Sequence, residues 1–284
     1  MASIDLHLEP RGGRTALPGI RHQGPLRVQR PFYPEGPVCH IYLLHPPGGL
    51  VSGDQLRISA TLEPDSQALI TTPSAGKIYR GDSCGVSQQQ TVLLRLAANS
   101  SLEWLPQETI IYDGALGHSQ TRVDLSKGCR FIGWEIICLG HPASHLHFNR
   151  GRFNRGRFIQ EMAIYRDGLP LVLEKQHLQA ASPLAEQRWG LAGYPIVGTL
   201  YAVGFDKEPV ALIDALRAQL NEDQATEGEN LDEQVAITYR LGVLILRYLG
   251  TDSERARTLF TRQWQLIRPE LLCRAAAIPR IWLT

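Results

Sequence analysis

The side chains of this chain that could do chemistry fall into a few groups. His141, His145 and His147 form an H-x3-H-x-H cluster after Cys138. On a strand, His145 and His147 share one face, and imidazoles so placed suit a borderline metal such as nickel or zinc. In a polar loop after Gly140 and Pro142 the same residues are simply solvated. Residues 148–158 read FNRGR-FNRGR-F, with four arginines in eight residues. Arginine interleaved with aromatics can hold RNA or single strands, but Arg-Gly pairs also build turns and partner contacts. Three carboxylates sit in unusual company. Asp54 closes the loop His45-Pro46-Pro47-Gly48-Gly49-Leu50-Val51-Ser52-Gly53, Glu103 lies between Leu102 and Trp104, and Glu174 follows Leu171-Val172-Leu173. An acid in an apolar strand is costly unless it is hydrogen-bonded, binds a cation or lines water. Each of the three is therefore either a satisfied buried acid or an oxygen ligand.

Several standard machineries are missing. A P-loop needs glycine five residues before its Gly-Lys pair and Ser or Thr after it. Around Gly76-Lys77 those places hold Thr71 and Ile78. Neither a GxSxG elbow nor an HExxH helix occurs. The five cysteines, Cys39, Cys84, Cys129, Cys138 and Cys273, form no CxxC pair, which argues for reduced thiols rather than a disulfide frame or zinc site. A net charge of +1 gives no global field for nucleic acid or an anionic membrane. With no basic-then-apolar leader and no apolar run near ~20 residues, a soluble, cytoplasmic protein is expected.

The elements that must carry these residues are mostly strands. Gln55–Leu62 alternates apolar and polar, the period of a half-buried strand. Cys39–Leu44, Ala68–Thr72, Gln90–Leu96, Ser101–Leu105, Ser119–Leu125, Arg130–Cys138, Arg157–Arg166 and Leu169–Gln176 extend the series between Gly, Pro, Asn and Asp breaks. This pattern predicts one large β body over 31–190, as a barrel, sandwich or solenoid, after an irregular lead-in over 1–30. Residues 191–284 read as an α/β appendage with about two helices: a strand at Pro195–Val203, a helix at Pro209–Leu220, a hairpin around Gly242, and a last helix capped by Thr251 or Ser253. The acids from Glu222 to Glu233 have no intervening base and read as a solvated loop.

The ordered segments Pro31-Phe32-Tyr33-Pro34-Glu35, His45-Pro46-Pro47-Gly48-Gly49 through Gly53-Asp54, and Thr72-Pro73 with Ala75, Lys77, Tyr79 and Arg80 carry a likeness. So do Leu102-Glu103-Trp104-Leu105-Pro106-Gln107-Glu108, Leu139-Gly140 with Pro142, Glu174 before His177-Leu178, and Pro279-Arg280-Ile281-Trp282-Leu283-Thr284. Together they resemble the UreD (also UreH) family of urease accessory proteins over residues 30 to 284. The resemblance implies a mainly β fold of solenoid or helical-like character, forming a single UreD-like domain over 1–284. It implies a non-enzymatic chaperone that binds UreF, reaches the GTPase UreG through UreF, docks on apo-urease and can assemble as a dimer through UreF. Nickel is implied as cargo in transit, with no tightly bound cofactor. A conduit needs weak ligands at several depths, because one tight site would trap the ion. Asp54 and Glu174 are the leading conduit candidates, followed by His45 and Glu103. The competing readings are a metal-dependent enzyme using His141, His145 and His147, and an RNA-binding module at the Arg-Gly repeat.

Overall fold

The computed structural model describes residues 1–141, 146–147, 156–179, 182–227 and 232–283. The chain opens with a hairpin, β1 (Ala2–Arg11) and β2 (Arg14–Gln23), turned at Gly12 and Gly13. Both glycines have positive φ, 60° and 79°, as two-residue hairpin turns require. Ile4, Leu6 and Leu8 alternate into the core. This corrects the irregular lead-in expected over 1–30: the Arg and Gly content reflects an exposed hairpin face and its turn, while the period-2 apolar signal lies in β1.

After β3 (Arg27–Val28) come β4 (Cys39–Leu44), β5 (Gln55–Leu62), β6 (Gln67–Thr71), β7 (Gly76–Ile78), β8 (Gln88–Leu96) and β9 (Ser101–Leu105). Then follow β10 (Thr109–Ile111), β11 (Leu116–Leu125), β12 (Arg130–His141), β13 (Leu146–His147), β14 (Arg157–Arg166) and β15 (Leu169–Gln179). Successive long strands pass from one sheet to the other. One sheet has the order β15-β14-β11-β8-β5-β1-β2, parallel from β1 to β14. In the second, β4, β6, β9 and β12 run parallel, one rung each. The fold is mainly β.

A one-turn helix α1 (Pro183–Glu186) leads to β16 (Ile196–Val203). Next come α2 (Val210–Glu227), the hairpin β17 (Glu233–Arg240) and β18 (Val243–Gly250), and α3 (Ser253–Leu272). Strands β16, β18 and β17 continue the second sheet from β12 in antiparallel fashion. Asp252, rather than Thr251 or Ser253, caps α3 by accepting from the Glu254 N–H at 2.8 Å.

The central strands of the second sheet, β6, β9, β12 and β16, are buried on both faces, which is why they read as near-continuous apolar runs. Its inner face, with Phe131, Ile137 and Leu139, packs on Ile58, Val92, Leu94, Val123 and Ile164 of the first sheet. Its outer face, with Ile132, Trp134 and Ile136, is covered by Leu259, Phe260, Trp264, Ile267 and Leu271 of α3. The tail docks on this outer core: the Trp282 ring lies 5.6 Å from Trp134 and 5.9 Å from Trp264, and its Nε1–H donates to Thr71 Oγ1 at 2.9 Å.

Long-range pairing also corrects the loop expected over 222–233. Helix α2 runs through Glu222 and Asp223, and Asp223 pairs with Arg262 of α3 at 2.7 Å. Glu233 is buried in β17 against Arg255 at 3.1 Å. The bases that neutralise these acids come from α3, beyond the acidic run. Residues 228–231 lie outside the described residues.

Candidate functional site

Among the described residues the space between the sheets is mainly apolar, and one polar belt crosses it. Strand register builds the belt. In the first sheet Gln90 pairs with Ser119, Ser119 with Gln160, and Gln160 with Gln176, one polar row crossing four strands. In the second sheet Glu135 pairs with Thr199, and Thr199 with Arg247. Alternation along each strand then puts Thr121, Glu174 and Tyr201 on the inner faces beside these rows.

Glu135 joins the two sheets. Its carboxylate accepts from the Thr121 hydroxyl and from the Gln160 carboxamide. Burial pushes its pKa up; the two donors oppose that rise, and nearby Glu174 adds to it. No cation pairs with it among the described residues. A carboxyl half-buried between the sheets with only neutral donors is a costly arrangement for a fold to keep. It borders a cavity of about 100 Å³ lined by His45, Thr72, Lys77, Gln90, Ser119, Thr121 and Glu135 among apolar neighbours. That volume is polar enough and large enough for roughly three waters.

The belt has two ends. At one, the loop after β4 brings His45 to the cavity. Gly49 holds this loop against β7: a Cβ there would lie 2.5 Å from the Tyr79 ring and 2.9 Å from the Lys77 carbonyl oxygen. Burial lowers the His45 pKa, and Asp54 partly offsets this, which places the two groups within electrostatic reach. At the other end Glu174 is held by Tyr201, whose hydroxyl donates at 3.0 Å, and by a forked contact from Arg247. Burial and the Glu174 carboxylate drive the Tyr201 pKa far up, so its proton stays in place. Glu174 keeps 21% of its side chain exposed and Arg247 47%, so this end meets the surface.

Comparison with known proteins now bears on this geometry. The family model for the UreD urease accessory protein matches residues 1–283. The chain belongs to the UreD family. Curated relatives agree, each named urease accessory protein UreD. The Marinobacter nauticus protein is 47% identical, covering 100% of this chain and 92% of its own length. The Chromohalobacter salexigens protein is 44% identical over 100% and 88%. The Pseudoalteromonas translucida protein is 46% identical over 95% and 85%.

Within this UreD fold the four acids and bases singled out from sequence do not share one place. His45 lines the cavity and Asp54 stands behind it, its Oδ2 accepting from the Val51 N–H at 3.0 Å within the loop. Glu174 lies at the far end of the belt. Glu103 is elsewhere, on the outer face of the second sheet under α3. Its oxygens accept from Trp264 Nε1 at 2.7 Å and from Arg268 at 2.9 and 3.0 Å. Arg268 also bridges to Glu35, which is bonded to His40 at 2.6 Å. All four carboxylate oxygens of this cluster are engaged, while the buried His40 Nδ1 has no partner among the described residues. The cluster His141, His145 and His147, and residues 148–155 of the Arg-Gly repeat, fall outside the described side chains. Among those that are described, no three His, Cys, Asp or Glu converge as a metal cage.

Sequence reasoning missed Glu135, although its signal was available. It interrupts Phe131-Ile132-Gly133-Trp134 and Ile136-Ile137 as Glu174 interrupts its own apolar run. Thr121, Gln160, Tyr201 and Arg247 carry no such mark, because ordinary strands contain these residues on exposed faces.

Proposed function

We propose that this chain is a non-catalytic urease maturation scaffold of the cytoplasm. With UreF and UreG it docks on apo-urease and conducts nickel, as cargo, along the inter-sheet belt toward the urease active site, while UreG hydrolyses GTP. The observation that supports this reading is the in-register polar row across a mainly apolar interior, with a carboxyl at its midpoint and one near each end. Asp54 with His45, then Glu135, then Glu174 supply oxygen and imidazole groups at successive depths, none of them a closed cage. Such spaced, weak ligands let a borderline cation enter and leave. The stacked parallel strands then act as a short solenoid whose interior is the route, and residues 1–284 work as one UreD unit.

On this reading the route is closed at rest. The cavity ends at Glu135, whose carboxylate is tied to Gln160, and Glu174 is already occupied by Arg247. A guanidinium at a carboxylate is a resident cation, so nickel reaches Glu174 only when Arg247 withdraws. Docking of a protein over the Glu174 end is the event placed to withdraw it.

The test is urease activation in cells expressing the whole urease operon with Asp54→Ala or Glu174→Ala. Either variant is expected to lower urease activity by at least about tenfold, as loss of a charge-bearing ligand of ~1.4 kcal/mol or more requires. UreF, UreG and urease should still co-purify with the tagged chain. Normal activity in both variants would remove these acids from the route, and failure of the wild-type chain to recover UreF and urease would remove the scaffold role.

A further inference from the structure

A second concave surface, at the opposite end of the parallel strands from the His45 loop, gathers positive charge without acid to match it. Gln67 opens β6, Ser101 opens β9 and Arg130 opens β12, and these three positions are in register across adjacent strands. With Asn99, Gly128, Leu272 and Arg274 they line an open basin of about 470 Å³ in which, among the described residues, no carboxylate takes part.

The arginines are short of counter-charge. Arg274, just past α3, donates to Gln67 Oε1 at 2.7 Å and to Ser101 Oγ at 3.1 Å, both neutral, and its Nε–H is buried without a partner. Arg130 makes no side-chain hydrogen bond or ion pair among the described residues. Glu103 and Glu35 are the acids whose charge acts on Arg274, and Arg268 pairs with both, with His40 also on Glu35. Arg274 thus shares two carboxylates that Arg268 already holds. Burial, with Arg268 and Arg130 close by, pulls the Arg274 pKa down against the opposing effect of Glu103 and Glu35.

Two glycines seat the walls. A Cβ on Gly204 would lie 3.0 Å from Arg130 Cγ, so the arginine stem rests where a side chain would otherwise project. A Cβ on Gly128 would lie 2.3 Å from Asn99 Oδ1, so the Asn99 carboxamide needs glycine there. Local packing therefore seats the Arg130 stem and the Asn99 carboxamide at the rim of the basin.

We propose that this basin binds an oxyanion, a carboxylate or phosphate group, gripped by Arg130 and Arg274 with Ser101 and Asn99 as neutral partners. Forked guanidinium donors match the paired oxygens of such groups, and the ligand would supply the charge that the cluster lacks. The group is carried either by a free small molecule or by an acidic residue of a bound protein.

The test compares the full-length chain with Arg130→Gln, which disturbs no internal bond. Inorganic phosphate and succinate are titrated at constant ionic strength while the melting temperature is followed. A saturable rise in the wild type, weakened about tenfold in apparent affinity in Arg130→Gln, supports a free anion. No rise with either anion, but loss of co-purifying urease or accessory proteins in Arg130→Gln at unchanged melting temperature, supports a protein-borne carboxylate. Equal stabilisation of both forms by phosphate, or no anion response with undiminished co-purification, overturns the proposal. Arg130→Lys keeps the charge and stem but loses the forked donors. If Arg130→Gln does not fold, it serves in the same comparison, with weakening of phosphate about threefold expected and none contradicting the site.

Discussion

Two glutamates of one sheet, on opposite faces, one buried and one half-buried, are treated by the fold in opposite ways. Glu103, 1% exposed, points under α3 and has its charge answered by Arg268, its remaining capacity by Trp264. Glu135 points between the sheets beside a cavity and receives only a hydroxyl and a carboxamide. Taking a charge out of water is expensive for Glu103 and costs less for the half-buried Glu135. On the α3 side the arginine offsets that cost and the cluster fastens the helix to the sheet. On the inner side nothing offsets it in full, so the carboxyl is retained for something other than stability. A buried acid thus reads as structural when a cation completes it and as functional when space and neutral donors surround it.

The largest expected effect comes from breaking the completed cluster. Arg268→Ala leaves Glu103 buried without its cation and Glu35 with His40 alone, and should destabilise the chain by about 3–5 kcal/mol. A shift in the denaturation midpoint at constant slope would measure it. A loss under about 1 kcal/mol would mean that solvent reaches the cluster and that the contrast with Glu135 is false.

Acid should separate the two faces next. The bonds from His40 and Arg268 to Glu35 outweigh its burial and hold its pKa down to about 2, against an ordinary 4.5. Its contribution is therefore complete above pH 4.5 and fades as the pH falls toward 2, a loss of up to about 3 kcal/mol. Glu135 has the opposite sign. Its folded pKa is raised, so its contribution is complete below the ordinary value and is lost as the pH climbs through the raised one. In stability profiles against pH, Glu35→Gln should flatten the acid limb, while Glu135→Gln should lift stability at neutral pH relative to the wild type. Parallel profiles for the two variants would refute the distinction.

Much of this architecture was legible in residue order. Strands such as Gln55–Leu62 and the α3 face of Leu259, Phe260, Trp264 and Ile267 announce themselves by period, since a buried face repeats with the backbone. The opening hairpin was obscured by its turn glycines and exposed arginines. Pairing over long separations left no local trace: Glu103 and Arg268 stand 165 residues apart, so the sequence left Glu103 open between a satisfied acid and an oxygen ligand. The belt depends on register between strands that are not consecutive, as with Ser119 and Gln160, and a single strand does not reveal which rows will align.

The most direct test of the central claim is the nickel content of urease matured with Glu135→Leu, in cells expressing the complete operon. Leucine replaces a carboxyl that the fold holds at a cost, so the variant chain should be as stable as the wild type and should still co-purify with its partners. Nickel per urease active site should fall at least about tenfold, because an apolar side chain then stands at the midpoint of the only polar route found between the sheets of the described structure. Full nickel occupancy with the complex intact would contradict a route through this interior.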